Sequence, residues 1–263
     1  MIRLVALDVD GTLLDRHQRL SEVNKAAIAR AKSKGTLFIL ATARQPRSAS
    51  RFARELALTT PLICHNGALG YQPAGGVELW HFRLDLSCAC EIAAYADEHG
   101  FELSTTVDGL TYYRQRPDQA LGPLDDGHHI VTSNLAAIVR PPTRIIAHGV
   151  EAATVIWCEF NPRLRTQVRF DRYYWGDALY SLTMVSALAS KGAALAWLCH
   201  EWNIAPESVL AIGDSEADLE MFACAGLSVA MGNAPLIVQA AADAIAPSND
   251  ENGVAWAIER FVL

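Results

Sequence analysis

The sequence lacks the features of a membrane, disulfide-rich or nucleic-acid-binding protein. No apolar run reaches the roughly 18 residues of a membrane-spanning helix, and the first residues carry no basic stretch ahead of a hydrophobic one. The six cysteines include no C-x-x-C pair and fall mostly inside apolar segments, which is typical of reduced core cysteines. A net charge of -7 argues against the basic surface that nucleic acids and anionic membranes require. We therefore expect a cytoplasmic protein with neither kind of partner.

Internal repeats and low-complexity tracts are also absent. A hydrophobic content of 51% with 19% charged residues is typical of a globular protein. The 263 residues are enough for one large domain or two smaller ones.

The first 64 residues alternate between buried strands and helices. Residues 2–7 are almost wholly apolar, which predicts a strand buried on both faces, and residues 36–41 and 61–64 repeat this pattern. Between the first two strands, Ser21 is a candidate N-cap and Gly35 a helix stop. Short links between such elements predict an α/β fold with a doubly wound parallel sheet.

The pattern changes between residues 83 and 185, which we predict to be an inserted α+β domain. A helix is predicted at 86–99, and a proline- and glycine-rich connection lies at 117–127. Strand-like segments are found at 102–106, 111–114, 154–160 and 179–184. The first pattern returns from residue 186, so residues 1–82 and 186–263 are predicted to form the core domain.

Polar side chains end strands or begin helices where the sheet should have one common edge, the edge at which open α/β sheets bind ligands. These residues are Asp8 and Asp10, Thr42 and Arg44, Lys191, and Asp214 with Asp218. Clustered carboxylates cannot all stay ionised without a cation, and hard oxygen ligands favour Mg²⁺. Lys191, Thr42 and the amides after Asp10 could supply the donors that a phosphoryl group needs.

Seven motifs resemble those of the haloacid dehalogenase superfamily of phosphotransferases. They are DVDGTLL at 8–14, ATAR at 41–44, HNGA at 65–68, SKG at 190–192, GDSEAD at 213–218, AMGNA at 230–234 and SNDENGVA at 248–255. Together with the insertion, they are similar to the Cof-like branch with a large α/β cap, subclass IIB.

The resemblance implies a Mg²⁺-dependent phosphatase that hydrolyses small phosphorylated metabolites, such as sugar phosphates. Asp8 would attack phosphorus to give an aspartyl phosphate, and Asp10 would protonate the leaving group and later deprotonate water. Mg²⁺ would be held by Asp8, the Asp10 main-chain carbonyl, Asp214 and Asp218, the last directly or through water. Lys191 would offset the charge of Asp8. The cap would close over the substrate.

A second set of residues is implied to bind phosphate or substrate. It consists of Gly11, Thr42, Ala43, Arg44, Asn66 and Lys191. For three of the residues the sequence leaves alternatives open. Arg44 is a solvated residue at a helix start, or it orients its motif or touches substrate. Asn66 lines the site or holds an Asn-Gly turn. Asp218, from the metal set, belongs to the metal site or has a helix-capping or surface role.

Two departures from the family pattern bear on activity. Ala217 stands where the family motif matched by GDSEAD usually has asparagine, and Ala43 stands where the motif matched by ATAR usually has glycine. The missing amide at 217 motivates one alternative, a catalytically weakened metabolite-binding regulatory protein. The other alternative is a phosphomutase of the same superfamily. For the oligomeric state we expect a monomer or a weak homodimer.

Two asparagines and two histidines are given structural interpretations. Asn233 and Asn249 are predicted to be turn residues that support the loop beyond Asp214. The pair His128-His129 is assigned to a polar loop that lacks metal-ligand spacing.

Overall fold

The computed structural model of the chain describes residues 1–114, 127–175 and 178–263. It divides into two compact units, one formed by Met1–Trp80 with Ser190–Leu263 and the other by His81–Ala189. The predicted connection at 117–127 falls outside the described residues, apart from its last residue. In the described ranges no helix combines the length and apolar character needed to cross a membrane.

The first unit begins with alternating strands and helices, as the sequence predicts. The elements are β1 (Leu4–Leu7), α1 (Glu22–Ser33), β2 (Leu37–Leu40), α2 (Pro46–Glu55), β3 (Leu62–Cys64), β4 (Leu69–Gln72) and β5 (Val77–His81). The Ser21 side chain accepts a hydrogen bond from the Asn24 N–H (3.1 Å), which confirms the predicted N-cap of α1. Gly35, with a φ of 93°, follows the end of this helix.

The described part of the second unit combines two α-helices and a short 3-10 helix with a mixed sheet. Its elements are α3 (Leu86–Glu98), β6 (Leu103–Val107), β7 (Leu110–Arg114), β8 (His128–Val131), β9 (Arg144–His148), α4 (Val150–Leu164), β10 (Val168–Trp175) and β11 (Ala178–Ser186). Over the described residues the sheet has six strands in the order β10-β11-β9-β6-β7-β8. Apolar side chains of α3 and α4, among them Ile92 and Phe160, pack on one face of this sheet against Ile145 and Met184.

Two predictions in this unit are wrong. Residues 154–160, predicted as a strand, belong to helix α4. The β-branched and aromatic residues of this segment suggested a strand, but Ile156, Phe160 and Leu164 are buried four residues apart, as one face of a helix requires. His128-His129, assigned to a loop, lies in β8, which pairs in parallel with β7.

The first unit resumes at residue 190 and completes the central sheet. The elements are α5 (Lys191–Glu201), β12 (Val209–Gly213), α6 (Leu219–Cys224), β13 (Leu227–Ala230), α7 (Leu236–Ala240), β14 (Ala244–Ile245) and α8 (Gly253–Phe261). In the described part of the chain five parallel strands follow the order β14-β13-β12-β1-β2. Val5 and Leu7 of β1 pack into one apolar cluster and Leu4 and Ala6 into another, so both faces of β1 are buried.

Strand β3 joins this sheet less directly than its sequence suggests. It pairs antiparallel with β4 in a sheet of three strands, counted over the described residues, and one parallel bridge between Ala41 and Ile63 connects it to the end of β2. The carboxyl ends of β1, β2 and β12 nevertheless lie at one edge, because all three strands run parallel. That edge carries the predicted polar residues.

Candidate active site

Asp8 is the first residue after β1, the strand that lies between β12 and β2. Its backbone N–H donates to the Ile212 carbonyl (3.0 Å), which continues the pairing of β1 with β12. Its side chain is buried. The chain then turns at Gly11, whose φ is 78°. A Cβ at Gly11 would lie 2.3 Å from Asp214 Oδ2, so glycine is required for the loop to approach this carboxylate.

Lys191 is buried between two carboxylates at the start of α5. Ser190 caps this helix by accepting a hydrogen bond from the Ala193 N–H (3.0 Å), which fixes its first turn. Lys191 Nζ donates to Asp8 Oδ1 (2.6 Å) and to Asp218 Oδ1 (2.7 Å). The lysine side chain is only 2% exposed, and a charge at such a position requires partners of this kind. Lys191 therefore links the DVDGTLL motif, through Asp8, to the GDSEAD motif, through Asp218.

Asp218 holds the turn after β12 in addition to contacting Lys191. Its Oδ2 accepts hydrogen bonds from the N–H groups of Asp214 (3.1 Å) and Ser215 (2.9 Å) and from the Ser215 hydroxyl (2.8 Å). Of the roles left open from the sequence, capping is observed, and the buried position of Asp218 is not a surface one; its part in a metal site stays a prediction. Asp214 accepts a hydrogen bond from Thr12 Oγ1 (2.7 Å). Thr12 and Ser215 were not singled out from the sequence, although both lie inside the recognised motifs.

Burial raises the pKa of two carboxyl groups in this cluster. It raises the pKa of Asp8 well above its usual value; Lys191 opposes this shift, and the charges of Asp218 and Asp214 add to it. Burial and the charge of Asp218 raise the pKa of Asp214 to about 7, while the hydrogen bond from Thr12 and the charge of Lys191 oppose the rise. The cluster therefore contains more negative charge than Lys191 alone can balance.

Three of the carboxylates are placed to hold a metal ion. Asp8, Asp214 and Asp218 each offer one oxygen, and these oxygens lie within 4.8 Å of one another. When all three carboxylates are ionised, the single positive charge of Lys191 leaves a net charge of −2. One divalent cation would neutralise it. Oxygen ligands of this type suit Mg²⁺, which commonly takes one or two carboxylates and keeps positions for water and phosphate. The residues present therefore fit Mg²⁺.

The carboxylate of Asp10 is bound by Arg44. Arg44 Nε donates to Asp10 Oδ2 (2.8 Å) and Nη2 donates to Asp10 Oδ1 (2.5 Å). This fork-to-fork arrangement fixes the plane of the carboxylate. The metal-binding group found among the described residues does not include the Asp10 side chain. Arg44 is only partly exposed and is not a solvated residue at a helix start.

Thr42 and Asn66 lie side by side after β2 and β3. The Thr42 N–H donates to the Ile63 carbonyl (2.8 Å), and the Asn66 N–H donates to the Thr42 carbonyl (3.0 Å). Asn66 is buried and has a left-handed φ of 54°. A Cβ at Gly67 would lie 2.3 Å from the Ser190 carbonyl carbon. The Asn-Gly turn therefore packs tightly against the residue that caps the lysine-bearing helix.

The two departures from the family pattern occupy different environments. Ala43 follows Thr42 and is partly exposed, whereas Ala217 is 5% exposed in the turn that Asp218 caps. The side chain at position 217 is therefore a packed methyl group.

Two asparagines support the loop after β1 and not the loop after β12. Asn233 Nδ2 donates to the Gly11 carbonyl (2.8 Å), and Asn233 Oδ1 accepts from the Asn249 N–H (2.9 Å). Asn249 Nδ2 donates to the Leu14 carbonyl (2.8 Å). The prediction that they support the loop beyond Asp214 is thus corrected: their long-range contacts hold the loop that begins at Asp8.

A doubly wound sheet with three carboxylates and a buried lysine at the carboxyl ends of its strands defines an α/β enzyme whose site is suited to phosphoryl groups. A family model described as haloacid dehalogenase-like hydrolase matches residues 5–258. The chain belongs to this family.

Curated relatives match over nearly the whole chain. The chain is 30% identical over 279 residues to a 5-amino-6-(5-phospho-D-ribitylamino)uracil phosphatase of Bacillus subtilis (strain 168), covering 100% of this chain and 96% of that protein. It is 27% identical over 283 residues to the pyridoxal phosphate phosphatase of Escherichia coli (strain K12), covering 99% of each.

Solved structures share the fold. A haloacid dehalogenase-like hydrolase from B. subtilis matches with a TM-score of 0.85 at 24% identity, covering 99% of this chain and 100% of that one. A sugar phosphatase of subclass IIB matches with a TM-score of 0.82 at 20% identity, covering 98% of each chain. The resemblance to the haloacid dehalogenase superfamily is thus confirmed, and the chain is an enzyme of the phosphatase class. The subclass IIB structure shows that the two chains share a fold.

Proposed function

We propose that the protein is a Mg²⁺-dependent phosphatase that hydrolyses monoesters of small phosphorylated metabolites through an aspartyl phosphate. The observation that carries this proposal is the bridging of Asp8 and Asp218 by the buried Lys191, next to Asp214. This arrangement presents a carboxylate nucleophile beside a fixed positive charge at the ligand-binding edge of the sheet.

In the first half-reaction, a carboxylate oxygen of Asp8 forms a bond to phosphorus while the bond from phosphorus to the leaving oxygen breaks. Asp10 donates a proton to that oxygen, so that an alcohol departs. In the second half-reaction, Asp10 takes a proton from water, the water oxygen bonds to phosphorus, and the bond to Asp8 breaks. Lys191 stays within hydrogen-bond distance of Asp8 and offsets its charge in both.

The phosphoryl oxygens are held by donors that follow β1, β2 and β3. We assign this role to the Thr42 side chain, to the backbone N–H groups of Gly11 and Ala43, and to the Asn66 side chain. The support is local: the Asn66 N–H donates to the Thr42 carbonyl, and the Ala41 N–H donates to the Leu7 carbonyl (2.9 Å) at the point where β1 and β2 end. These donors are set by backbone geometry before substrate arrives.

Mg²⁺ would be held by Asp8, Asp214 and Asp218, whose oxygens lie within 4.8 Å of one another, together with the main-chain carbonyl of Asp10. Mg²⁺ bound there would supply the positive charge that these carboxylates lack and would polarise a phosphoryl oxygen. The donors named above, such as Thr42, orient the phosphoryl group, and Lys191 favours the ionised form of Asp8.

The second unit is proposed to act as a cap domain that selects the leaving group. The relatives are named for phosphate esters with quite different leaving groups, a ribitylaminouracil and pyridoxal, which supports a small phosphorylated metabolite as substrate.

All six cysteines lie in described ranges and are free thiols, which supports a reducing, cytoplasmic location.

The test is phosphate release from a panel of metabolite phosphates, with Mg²⁺ or with EDTA. Wild type should release phosphate from at least one ester only with Mg²⁺, and Asp8→Asn should release none. Asp15→Asn is the matched control, because Asp15 is a partly exposed carboxylate seven residues further along that binds Arg19 (3.1 Å) and is not a member of the acidic cluster; it should keep wild-type activity.

Silence of the wild type across the panel would contradict the proposal in favour of a binding protein, unless Ala217→Asn restores turnover. A recovered activity would show that the packed methyl at 217 weakens an enzyme. A requirement for a bisphosphate activator would instead indicate a phosphomutase.

A further inference from the structure

Arg44 is held on several sides by groups of the protein itself. Besides its two hydrogen bonds to Asp10, its Nη1 donates to Ser48 Oγ (3.0 Å) and its Nη2 also donates to Gln18 Oε1. The guanidinium carbon lies 5.0 Å from the centroid of the Phe52 ring, within the range of a cation–π contact. Four hydrogen bonds thus use four of the five N–H groups that an arginine offers.

These contacts separate two interpretations of Arg44. A residue that binds the phosphoryl group needs donors that remain available, and four of the donors of Arg44 are already engaged within the protein. A residue that positions Asp10 needs an anchored guanidinium and two-point contact with the carboxylate, and both are present. Contact with substrate, one of the roles left open from the sequence, is therefore disfavoured.

We propose that Arg44 is a positioning residue that sets the direction of the Asp10 carboxylate and acts on catalysis through Asp10. This inference rests on the proposed function, in which Asp10 transfers a proton to the leaving oxygen. Proton transfer requires the carboxyl group within hydrogen-bond reach of that oxygen. Asp10 precedes the left-handed turn at Gly11 and its side chain is 43% exposed. The two hydrogen bonds from Arg44 therefore restrain a carboxylate that is otherwise partly open to solvent.

The kinetic test compares two esters that differ in their need for an acid. Glycerol phosphate loses an alkoxide, which must be protonated, whereas p-nitrophenyl phosphate loses a stable phenolate. Arg44→Met should lower kcat/KM for glycerol phosphate by roughly 10- to 100-fold, within the contribution of general acid–base catalysis, and for p-nitrophenyl phosphate by at most about threefold. A purely structural role would lower both values equally.

Two further variants sharpen this test. In an Asp10→Asn background, Arg44→Met should cause no further loss, because a residue that acts through Asp10 has no effect once the acid is gone. Arg51→Met is the matched control: Arg51 lies over the same Phe52 ring (5.3 Å) but is exposed, and it should keep wild-type values. Equal losses on both esters, or a full additional loss in the Asp10→Asn background, would overturn the inference.

A crystal structure of Arg44→Met provides a readout that does not depend on turnover. The Asp10 carboxylate should leave the position it has in the wild type, and an unchanged carboxylate would refute the inference. If the wild type hydrolyses no ester of the metabolite panel, the proposed function fails and this comparison alone decides the role of Arg44. If the wild type is active and only the Arg44 results disagree, the proposed function stands.

Discussion

Replacing Lys191 with methionine should destabilise the protein in a manner that depends on pH. The substitution keeps most of the side-chain volume but removes the ammonium that binds Asp8 (2.6 Å) and Asp218 (2.7 Å). Both carboxylates are almost fully buried, with side chains 6% and 0% exposed. Removing one partner of a buried ion pair costs about 3–5 kcal/mol, because the remaining charge has no compensation.

For a chain of this size, that loss corresponds to a fall in Tm of roughly 6 to 20 °C. The pKa of Asp8 is already raised by burial, and Lys191 lowers it, so the variant raises this pKa further. A raised pKa of a carboxyl group means that the folded state holds a proton which the unfolded chain releases, so stability falls as the pH rises above about 4. The difference between wild type and variant should therefore be largest near neutral pH and should shrink as the pH approaches about 4.

The assay is urea or thermal unfolding in EDTA over this pH range, with Lys25→Met as the matched control. Lys25 also binds two carboxylates, Glu22 (2.8 Å) and Glu55 (2.5 Å), but this pair network lies at the surface. Its loss should change stability little, since solvent already screens exposed ion pairs. If Lys191→Met were no more destabilising than Lys25→Met, or if its effect did not vary with pH, the reasoning about the buried cluster would be refuted.

Two other predictions concern the same loop and the same carboxylates. Gly11→Ala should abolish activity and lower stability, because the new Cβ would lie 2.3 Å from Asp214 Oδ2. Gly35→Ala is the control, since Gly35 has a similar positive φ but nothing lies within 4 Å of the new Cβ. It should lower the free energy of unfolding by only about 1 kcal/mol and leave activity intact. The increase in Tm on adding Mg²⁺ should be larger near pH 7.5 than near pH 5.5, because protons compete with the metal for Asp214, whose pKa is raised to about 7; equal increases at both pH values would contradict metal binding by this carboxylate.

Much of the core was predictable because its signals are local. The apolar strand at residues 2–7, the N-cap at Ser21 and the stop at Gly35 each depend on a few neighbouring residues. Parallel strands then bring their carboxyl ends together. The proximity of Asp8, Lys191 and the GDSEAD motif therefore follows from the order of the elements.

The features that were missed depend on contacts between distant residues. Helix α4 is an exception: residues 154–160 contain β-branched and aromatic residues that suggest a strand, whereas the four-residue spacing of Ile156, Phe160 and Leu164 is a local helical pattern. The pairing of Arg44 with Asp10 joins residues 34 positions apart, and the support of Gly11 by Asn233 spans 222 positions. No local pattern specifies such pairs.

The most direct test of the account is to trap the phosphorylated enzyme. The protein is mixed with a turned-over ester and Mg²⁺, quenched in acid within the first turnover, digested and examined by mass spectrometry. We predict that the peptide containing Asp8 gains the mass of one phosphoryl group and that treatment with base removes this group. The same peptide of Asp8→Asn should carry no phosphoryl group. Phosphate release without any phosphorylated peptide, or phosphorylation of another residue, would contradict the assignment of Asp8 as the nucleophile.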